Sequence, residues 1–211
     1  VRRGGPMWVT NNVDHTSTVY DGTGLVQPLV VNIPGGANGP GDVTGTVANT
    51  SATAFQVSNG TTTATALFLF ATASGTISGW APTVDAANAI LAYDDAAGGA
   101  KYTGLAIADR AGSTYLYAAD FANGKIDVFD GTFSRQAAAG FTDNTLPAGF
   151  KPFNIQALSI GGQTVLGVAY ARESDTGAGE VMPGAGDGLV ITYDTAGTLL
   201  QRLVAQGGVL N

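Results

Sequence analysis

One pattern recurs four times along this chain: an apolar strand, a short polar turn, and a second strand that ends on an aromatic residue, usually followed by aspartate. The first copy is Met7-Trp8-Val9-Thr10-Asn11 with Ser17-Thr18-Val19-Tyr20-Asp21-Gly22. The second is Phe68-Leu69-Phe70-Ala71-Thr72 with Thr76-Ile77-Ser78-Gly79-Trp80-Ala81. The third is Tyr115-Leu116-Tyr117-Ala118-Ala119-Asp120 with Lys125-Ile126-Asp127-Val128-Phe129-Asp130-Gly131. The fourth is Val165-Leu166-Gly167-Val168-Ala169-Tyr170 with Leu189-Val190-Ile191-Thr192-Tyr193-Asp194. A unit of this size cannot bury its own apolar face, so repeats of this kind stack on their neighbours.

The anchoring aromatics are Tyr20, Trp80, Phe129 and Tyr193. Their spacing suits four-stranded blades with insertions, since such units run roughly 40 to 50 residues. Within Lys125-Ile126-Asp127-Val128-Phe129-Asp130, strand alternation puts Ile126, Val128 and Asp130 on one face. Lys125, Asp127 and Phe129 share the other, so both faces carry an apolar residue, as a strand sandwiched between neighbours requires. Outer strands are expected at 28–33, 89–93, 135–141 and 199–205, and inner strands at 43–47, 103–108 and 153–160. The first hairpin has no inner strand ahead of it, and Gly207-Gly208-Val209-Leu210-Asn211 stands where a further inner strand would begin.

The fold expected is all-β: a single β-propeller domain over 1–211, with blades of four antiparallel strands at about 1–41, 42–98, 99–150 and 151–211. It is a partial propeller or one completed by oligomerisation. Alanine-rich 86–97 and 136–140 lack a sustained 3.6-residue period, so at most a turn is expected there. Gly35–Gly41 and Gly177–Gly188 read as loops.

Composition narrows the function classes. Glycine stands at 31 residues with no collagen period, which reads as turn punctuation between short strands. Lysine and arginine total 9 against 16 acids, a net charge of −7 that opposes binding to DNA or RNA. No basic cluster exceeds Arg2-Arg3. With 0 cysteines, a disulfide framework, a zinc-thiolate site and a cysteine nucleophile are all excluded. No apolar run reaches about 18 residues, so no membrane span is expected. The opening Val1-Arg2-Arg3 reads as a processed or truncated product.

Three segments carry a family resemblance. They are Phe70-Ala71-Thr72-Ala73-Ser74-Gly75-Thr76-Ile77-Ser78-Gly79-Trp80; Leu116-Tyr117-Ala118-Ala119-Asp120-Phe121 with Ile126-Asp127-Val128-Phe129-Asp130; and Leu146-Pro147-Ala148-Gly149-Phe150-Lys151-Pro152-Phe153-Asn154-Ile155-Gln156. In these the chain resembles an uncharacterised family of exported bacterial β-propellers. The resemblance implies about six blades of the NHL or lactonase-like kind, of which this chain matches four. It also implies an extracellular or periplasmic location. Ala73-Ser74 departs from the family, where an acidic pair is common, and this weakens any cation site at that turn.

Propellers gather ligands at one end of the central channel, so polar residues at matching blade positions are the candidates. Asn11 and Asp120 align at the end of the second strand, with Ala71 expected in the equivalent place. Asn154 and Gln156 lie on an inner strand. Their oxygens could serve Ca²⁺, which takes six to eight oxygen ligands; Asp and Asn in such positions also cap turns through their own backbone. Glu173, Asp175, Glu180 and Asp187 form an acidic, glycine-rich insertion without EF-hand spacing. It reads either as a cation or sugar clamp or as a solvated loop. His15 is the single histidine, and no Gly-x-Ser-x-Gly elbow accompanies it.

Two function classes follow. One is an exported, non-enzymatic binding or structural module that meets a polysaccharide or another protein. The other is a Ca²⁺-dependent, lactonase-like hydrolase with Asp120 and Asn154 among its metal ligands. Four blades standing alone would leave apolar faces and strand edges bare, so self-association is expected if the chain is complete.

Overall fold

The computed structural model describes residues 5–137, 140–175 and 179–205. Arg2-Arg3 and the expected further inner strand at 207–211 lie outside the described residues. So do part of the acidic insertion, at 176–178, and part of the expected outer strand at 135–141, at 138–139.

Four antiparallel sheets follow one another along the chain, each a simple meander. The first holds β1 (Met7–Asn11), β2 (Thr16–Tyr20) and β3 (Val26–Asn32). In the second, β4 (Val43–Ala48) pairs with β7 (Phe68–Thr72), followed by β8 (Thr76–Trp80) and β9 (Ile90–Asp94). A separate hairpin, β5 (Gln56–Ser58) and β6 (Thr63–Thr65), is inserted between β4 and β7. The third sheet holds β10 (Tyr102–Arg110), β11 (Ser113–Asp120) and β12 (Lys125–Phe129). The fourth runs β13 (Phe150–Ile160), β14 (Gln163–Arg172), β15 (Gly188–Tyr193) and β16 (Leu199–Val204). Among the described residues the helical content is one 3-10 turn at Ala96–Gly98. No described helix is long and apolar enough to cross a membrane, which leaves strand-built barrels unaddressed.

The four anchoring aromatics hold matching places. Each is the last residue of its strand, and each faces the preceding strand: Tyr20 opposite Met7, Trp80 opposite Phe68, Phe129 opposite Leu116 and Tyr193 opposite Leu166. Asn11 faces Thr16 and Asp120 faces Lys125 at the neck of their hairpins. The matching residue in the second sheet is Thr72, not Ala71, because Val43 pairs with Thr72 as Tyr102 pairs with Asp120. A bulge in each inner strand, between Val43 and Gly45, Tyr102 and Gly104, and Pro152 and Asn154, fixes that alignment.

Side-chain alternation buries the middle sheets on both faces. Phe68 and Phe70 pack toward the first sheet with Val31, Ile33 and Trp80, while Leu69 and Ala71 pack toward the third. Leu116 and Ala118 meet the second sheet, and Tyr117 and Ala119 meet the fourth. Full burial of side chains of this size contributes roughly 1.5–3 kcal/mol each, so these inter-sheet layers hold the sheets together. Trp80, Phe129 and Tyr193 each belong to the layer shared with the sheet before. Tyr20 has no described sheet before it and is only half-buried.

The inner strands form a row. β10 lies against both β4 and β13, and β1 lies against β4 as β7 lies against β10. At the two ends of the stack large apolar side chains stand in water: Val26 and Val30 on β3, and Phe153, Leu199, Leu200 and Leu203 on the fourth sheet.

Of the expected outer strand at 135–141, the described residues hold a bridge between Phe129 and Arg135. Asp130 takes the segment instead: its carboxylate accepts from Thr132, Ser134 and, at 2.8 Å, from Gln136 Nε2. Phe141 then turns through a positive φ of 56° and sets its ring 5.4 Å from that of Tyr193.

Candidate functional site

The row of inner strands walls an open groove of about 760 Å³. Thr10 enters it from β1, Thr44 and Thr46 from β4, Thr50 from the loop beyond, and Asn154 and Gln156 from β13. Among the described residues no charged side chain lines it. Two glycines make the row possible. A Cβ on Gly45 would lie 2.8 Å from the Cβ of Leu105, and one on Gly104 would lie 2.8 Å from the Cα of Asn154. Thr44 Oγ1 donates across the row, 2.6 Å from the Tyr102 carbonyl. Thr46 Oγ1 is buried and has no partner among the described residues.

The groove gathers Asn154 and Gln156 from the sequence candidates and leaves the other two elsewhere. Asn11 donates its amide to Thr16 and Thr18 of its own hairpin, at 3.0 and 3.2 Å. Asp120 is fully buried where the second and third sheets meet. Its Oδ1 accepts from the amides of Lys101 and Asn123, and its Oδ2 accepts from Asn123 Nδ2 at 2.8 Å.

Around Asp120 lies a second feature that the sequence reading did not assemble. Asp95, Asp120 and Asp127, all buried, bring carboxylate oxygens within 4.8 Å of one another. Lys125 Nζ lies 2.6 and 2.7 Å from the two oxygens of Asp127, and 3.3 Å from Asp120 Oδ2. Arg135 donates to Asp95 Oδ2 at 2.7 Å and stands 3.7 Å from Asp127 Oδ2. Tyr102 donates its hydroxyl to Asp127 at 3.0 Å. Burial, reinforced by the Asp127 charge, pushes the Tyr102 phenol far above its ordinary range and keeps it a donor. Burial works against the Arg135 guanidinium, yet Asp127, Tyr93 and Asp95 outweigh it and raise its pKa.

Three carboxylates therefore face two cations. Such a set could coordinate a divalent ion such as Ca²⁺, which prefers carboxylate oxygens. The Lys125 ammonium already occupies the side of the cluster where such an ion would draw on Asp120 and Asp127 together. None of the three aspartates lines the groove.

The acidic insertion does not converge. Glu173 pairs with Lys151 at 2.7 Å and accepts from the Gly179 amide, and Glu180 pairs with Lys101 at 2.9 Å. The hydrogen bond from Lys151 holds the Glu173 carboxyl below its ordinary range, and Lys101 does the same for Glu180. Asp175 stands 3.6 Å from Arg172, while the backbone of Asp187 closes a turn with Gly184. Among the described residues these four acids form no shared ligand set. His15 Nδ1 lies 2.9 Å from Asp42 Oδ1, just before β4.

No family model matches the chain. It is similar to three uncharacterised proteins of Acanthamoeba polyphaga mimivirus. R648 is 32% identical over 217 residues, which is 99% of this chain and 51% of that protein. R640 is 30% identical over 161 residues, 74% of this chain and 29% of that protein. L690 is 28% identical over 211 residues, 97% of this chain and 54% of that protein. The chain spans about half the length of R648 and L690, and less of R640. These relatives are viral, whereas the motifs pointed to bacteria. What they support is an all-β chain with distant homologues.

Proposed function

We propose that the chain is a run of four blades from a β-propeller, and that it works as an exported, non-enzymatic binding module. Its ligand is neutral and rich in hydroxyl groups, a polysaccharide segment being the best match. The observation that carries this reading is the wall of the groove. Thr10, Thr50, the Asn154 and Gln156 amides and strand backbone line it beside Val47, Leu105, Ile107 and Ile155, with no charged or imidazole group among these described residues. Such a wall offers hydrogen bonds in both directions without the acid–base pair that hydrolysis needs. The propeller part of the reading draws on the row β4, β10, β13 and on the matching places of Trp80, Phe129 and Tyr193.

Titration of the isotopically labelled protein with neutral and with acidic oligosaccharides tests it. Amide shifts at Thr44, Thr46, Asn154 and Gln156 with the neutral series are expected, lost in Asn154→Ala/Gln156→Ala. A neutral series that leaves the groove unshifted would overturn the ligand class.

The buried aspartates favour a second reading, a Ca²⁺-dependent hydrolase. It requires Lys125 to leave Asp127 and the groove to communicate with the cluster. A calcium titration that shifts Asp120 and Asp127 at micromolar ion, together with ester or lactone turnover, would place this reading first.

A further inference from the structure

We infer that Asn59 is a site of spontaneous covalent modification, where the side-chain amide closes on the Gly60 backbone nitrogen, loses ammonia and opens to aspartate or isoaspartate. The sequence holds Asn-Gly three times, at Asn38-Gly39, Asn59-Gly60 and Asn123-Gly124. Glycine after asparagine leaves the attacking nitrogen with no Cβ beside it, so the three pairs share one local chemistry. The fold sets them apart.

Asn59 and Gly60 stand exposed at the tip between β5 and β6. Asn59 Oδ1 accepts from two backbone amides, Thr61 at 3.0 Å and Thr62 at 2.8 Å. Two N–H groups on one carbonyl oxygen polarise it and stabilise the negative charge that develops there on attack. The Gly60 N–H meets only the Ser58 hydroxyl, at 3.2 Å, and nothing stands within 4 Å of the Gly60 Cβ position, so solvent reaches the nitrogen.

The other pairs lack this arrangement. Asn123 donates its amide to Gly98 O at 3.0 Å and to Asp120 Oδ2 at 2.8 Å, and no described group donates to its own oxygen. Attack there would build an oxyanion, and then a carboxylate, beside the buried Asp120 charge, which opposes it. Asn38 donates to Ala96 O at 2.9 Å, again with no described donor to its oxygen, and the Gly39 N–H is taken by the Gly36 carbonyl.

In the step itself hydroxide removes the Gly60 amide proton and the nitrogen bonds to Asn59 Cγ. The Cγ–Nδ2 bond breaks, and Nδ2 takes a proton from water and leaves as ammonia, which returns the hydroxide. Water then opens the cyclic imide at either carbonyl. One water is consumed and one ammonia released, with no change of oxidation state. The product lacks the Nδ2 donor that holds Val84 O at 2.8 Å, and Val84 packs with Phe55 and Val57 in the layer shared with the third sheet. A carboxylate facing that carbonyl repels it, so the hairpin tip parts from the second sheet. None of this depends on the ligand of the groove.

The test is incubation of the whole chain in mildly alkaline buffer, with peptide mapping by mass spectrometry over time. Asn59 is expected to convert first, roughly fivefold or more ahead of Asn38 and Asn123. In denaturant the three rates should fall within about twofold of one another, since only the shared Asn-Gly chemistry is left. Gly60→Ala should slow conversion at Asn59 roughly tenfold. In the converted protein, amide exchange on β5 and β6 should quicken. Earlier conversion at Asn38 or Asn123 overturns the inference, and so does an Asn59 that stays intact. The same order of rates in denaturant overturns it too, because sequence and not the fold would then set the site.

Discussion

Gly104 and Asn154 meet across two sheets that share no ladder: a Cβ on Gly104 would stand 2.8 Å from the Asn154 Cα. Gly45 meets Leu105 in the same manner one sheet earlier. In both cases a missing side chain sets how closely successive inner strands approach.

Gly104→Val should therefore destabilise the chain by about 1–3 kcal/mol, the range for overpacking a tight contact. Gly112→Ala is the control, since nothing stands within 4 Å of its Cβ position, although its φ of 81° carries a strain of its own. Urea unfolding of the variants measures the difference. A Gly104→Val variant as stable as the parent would mean that the inner strands lie further apart.

The turns that follow Tyr20, Phe129 and Tyr193 are each held by the aspartate that comes next, Asp21, Asp130 and Asp194. Burial pushes the Asp130 carboxyl up, but hydrogen bonds from Thr132, Ser134 and Gln136 outweigh it and set its pKa below the ordinary 3.8. Asp21 is lowered in the same sense, first by the Thr23 hydroxyl. A carboxyl depressed in the folded state contributes stability above its unfolded pKa, and that contribution disappears as pH falls through the folded value. Stability should thus decline as pH falls below about 4, and less steeply in Asp130→Ala. The substitution itself should cost about 1–2 kcal/mol at neutral pH. Thermal melts from pH 2 to 7 read both effects.

Ser78 is buried in β8, and its hydroxyl has no partner among the described residues. Ser78→Ala removes a group that was desolvated without compensation. It should leave stability unchanged or raise it by up to about 1 kcal/mol, against the usual trend for core substitutions. A loss of more than that by denaturant titration would reveal a partner for the hydroxyl.

Lys125 holds two of the three clustered aspartates. Lys125→Met should cost about 2–4 kcal/mol, because it leaves buried carboxylates short of positive charge while part of the lysine side chain was in water. Added Ca²⁺ should raise the melting temperature of the variant more than that of the parent, since the ammonium no longer stands over Asp120 and Asp127. Equal responses in calorimetry would remove the cluster as a cation site in either form.

The repeat was legible in the sequence because local patterns carry it. Strand alternation around Ile126 and Val128 placed the two faces of β12, and the aromatic endings located Tyr20, Trp80, Phe129 and Tyr193 at matching register. The inserted hairpin β5–β6 was missed, although Asn59-Gly60 between two short polar strands is a turn signal. The aspartate cluster escaped because Asp95 belongs to the sheet before Asp120 and Asp127, and spacing along the chain does not reveal contacts between stacked sheets. One clue was available: Lys125 and Asp127 fall on the same face as Phe129, and a charged pair on a face that must be buried needs partners. The place of Asn154 and Gln156 beside threonines from two other strands depended likewise on stacking order.

The stacking of successive sheets with their inner strands in a row is tested most directly by proton–proton contacts in solution. The fold described here predicts strong nuclear Overhauser effects from the Gly45 α-protons to the Leu105 amide, and from the Gly104 α-protons to the Asn154 α-proton. Absence of both, in spectra where the contacts within each sheet are present, would contradict the row of inner strands and, with it, the proposed propeller reading.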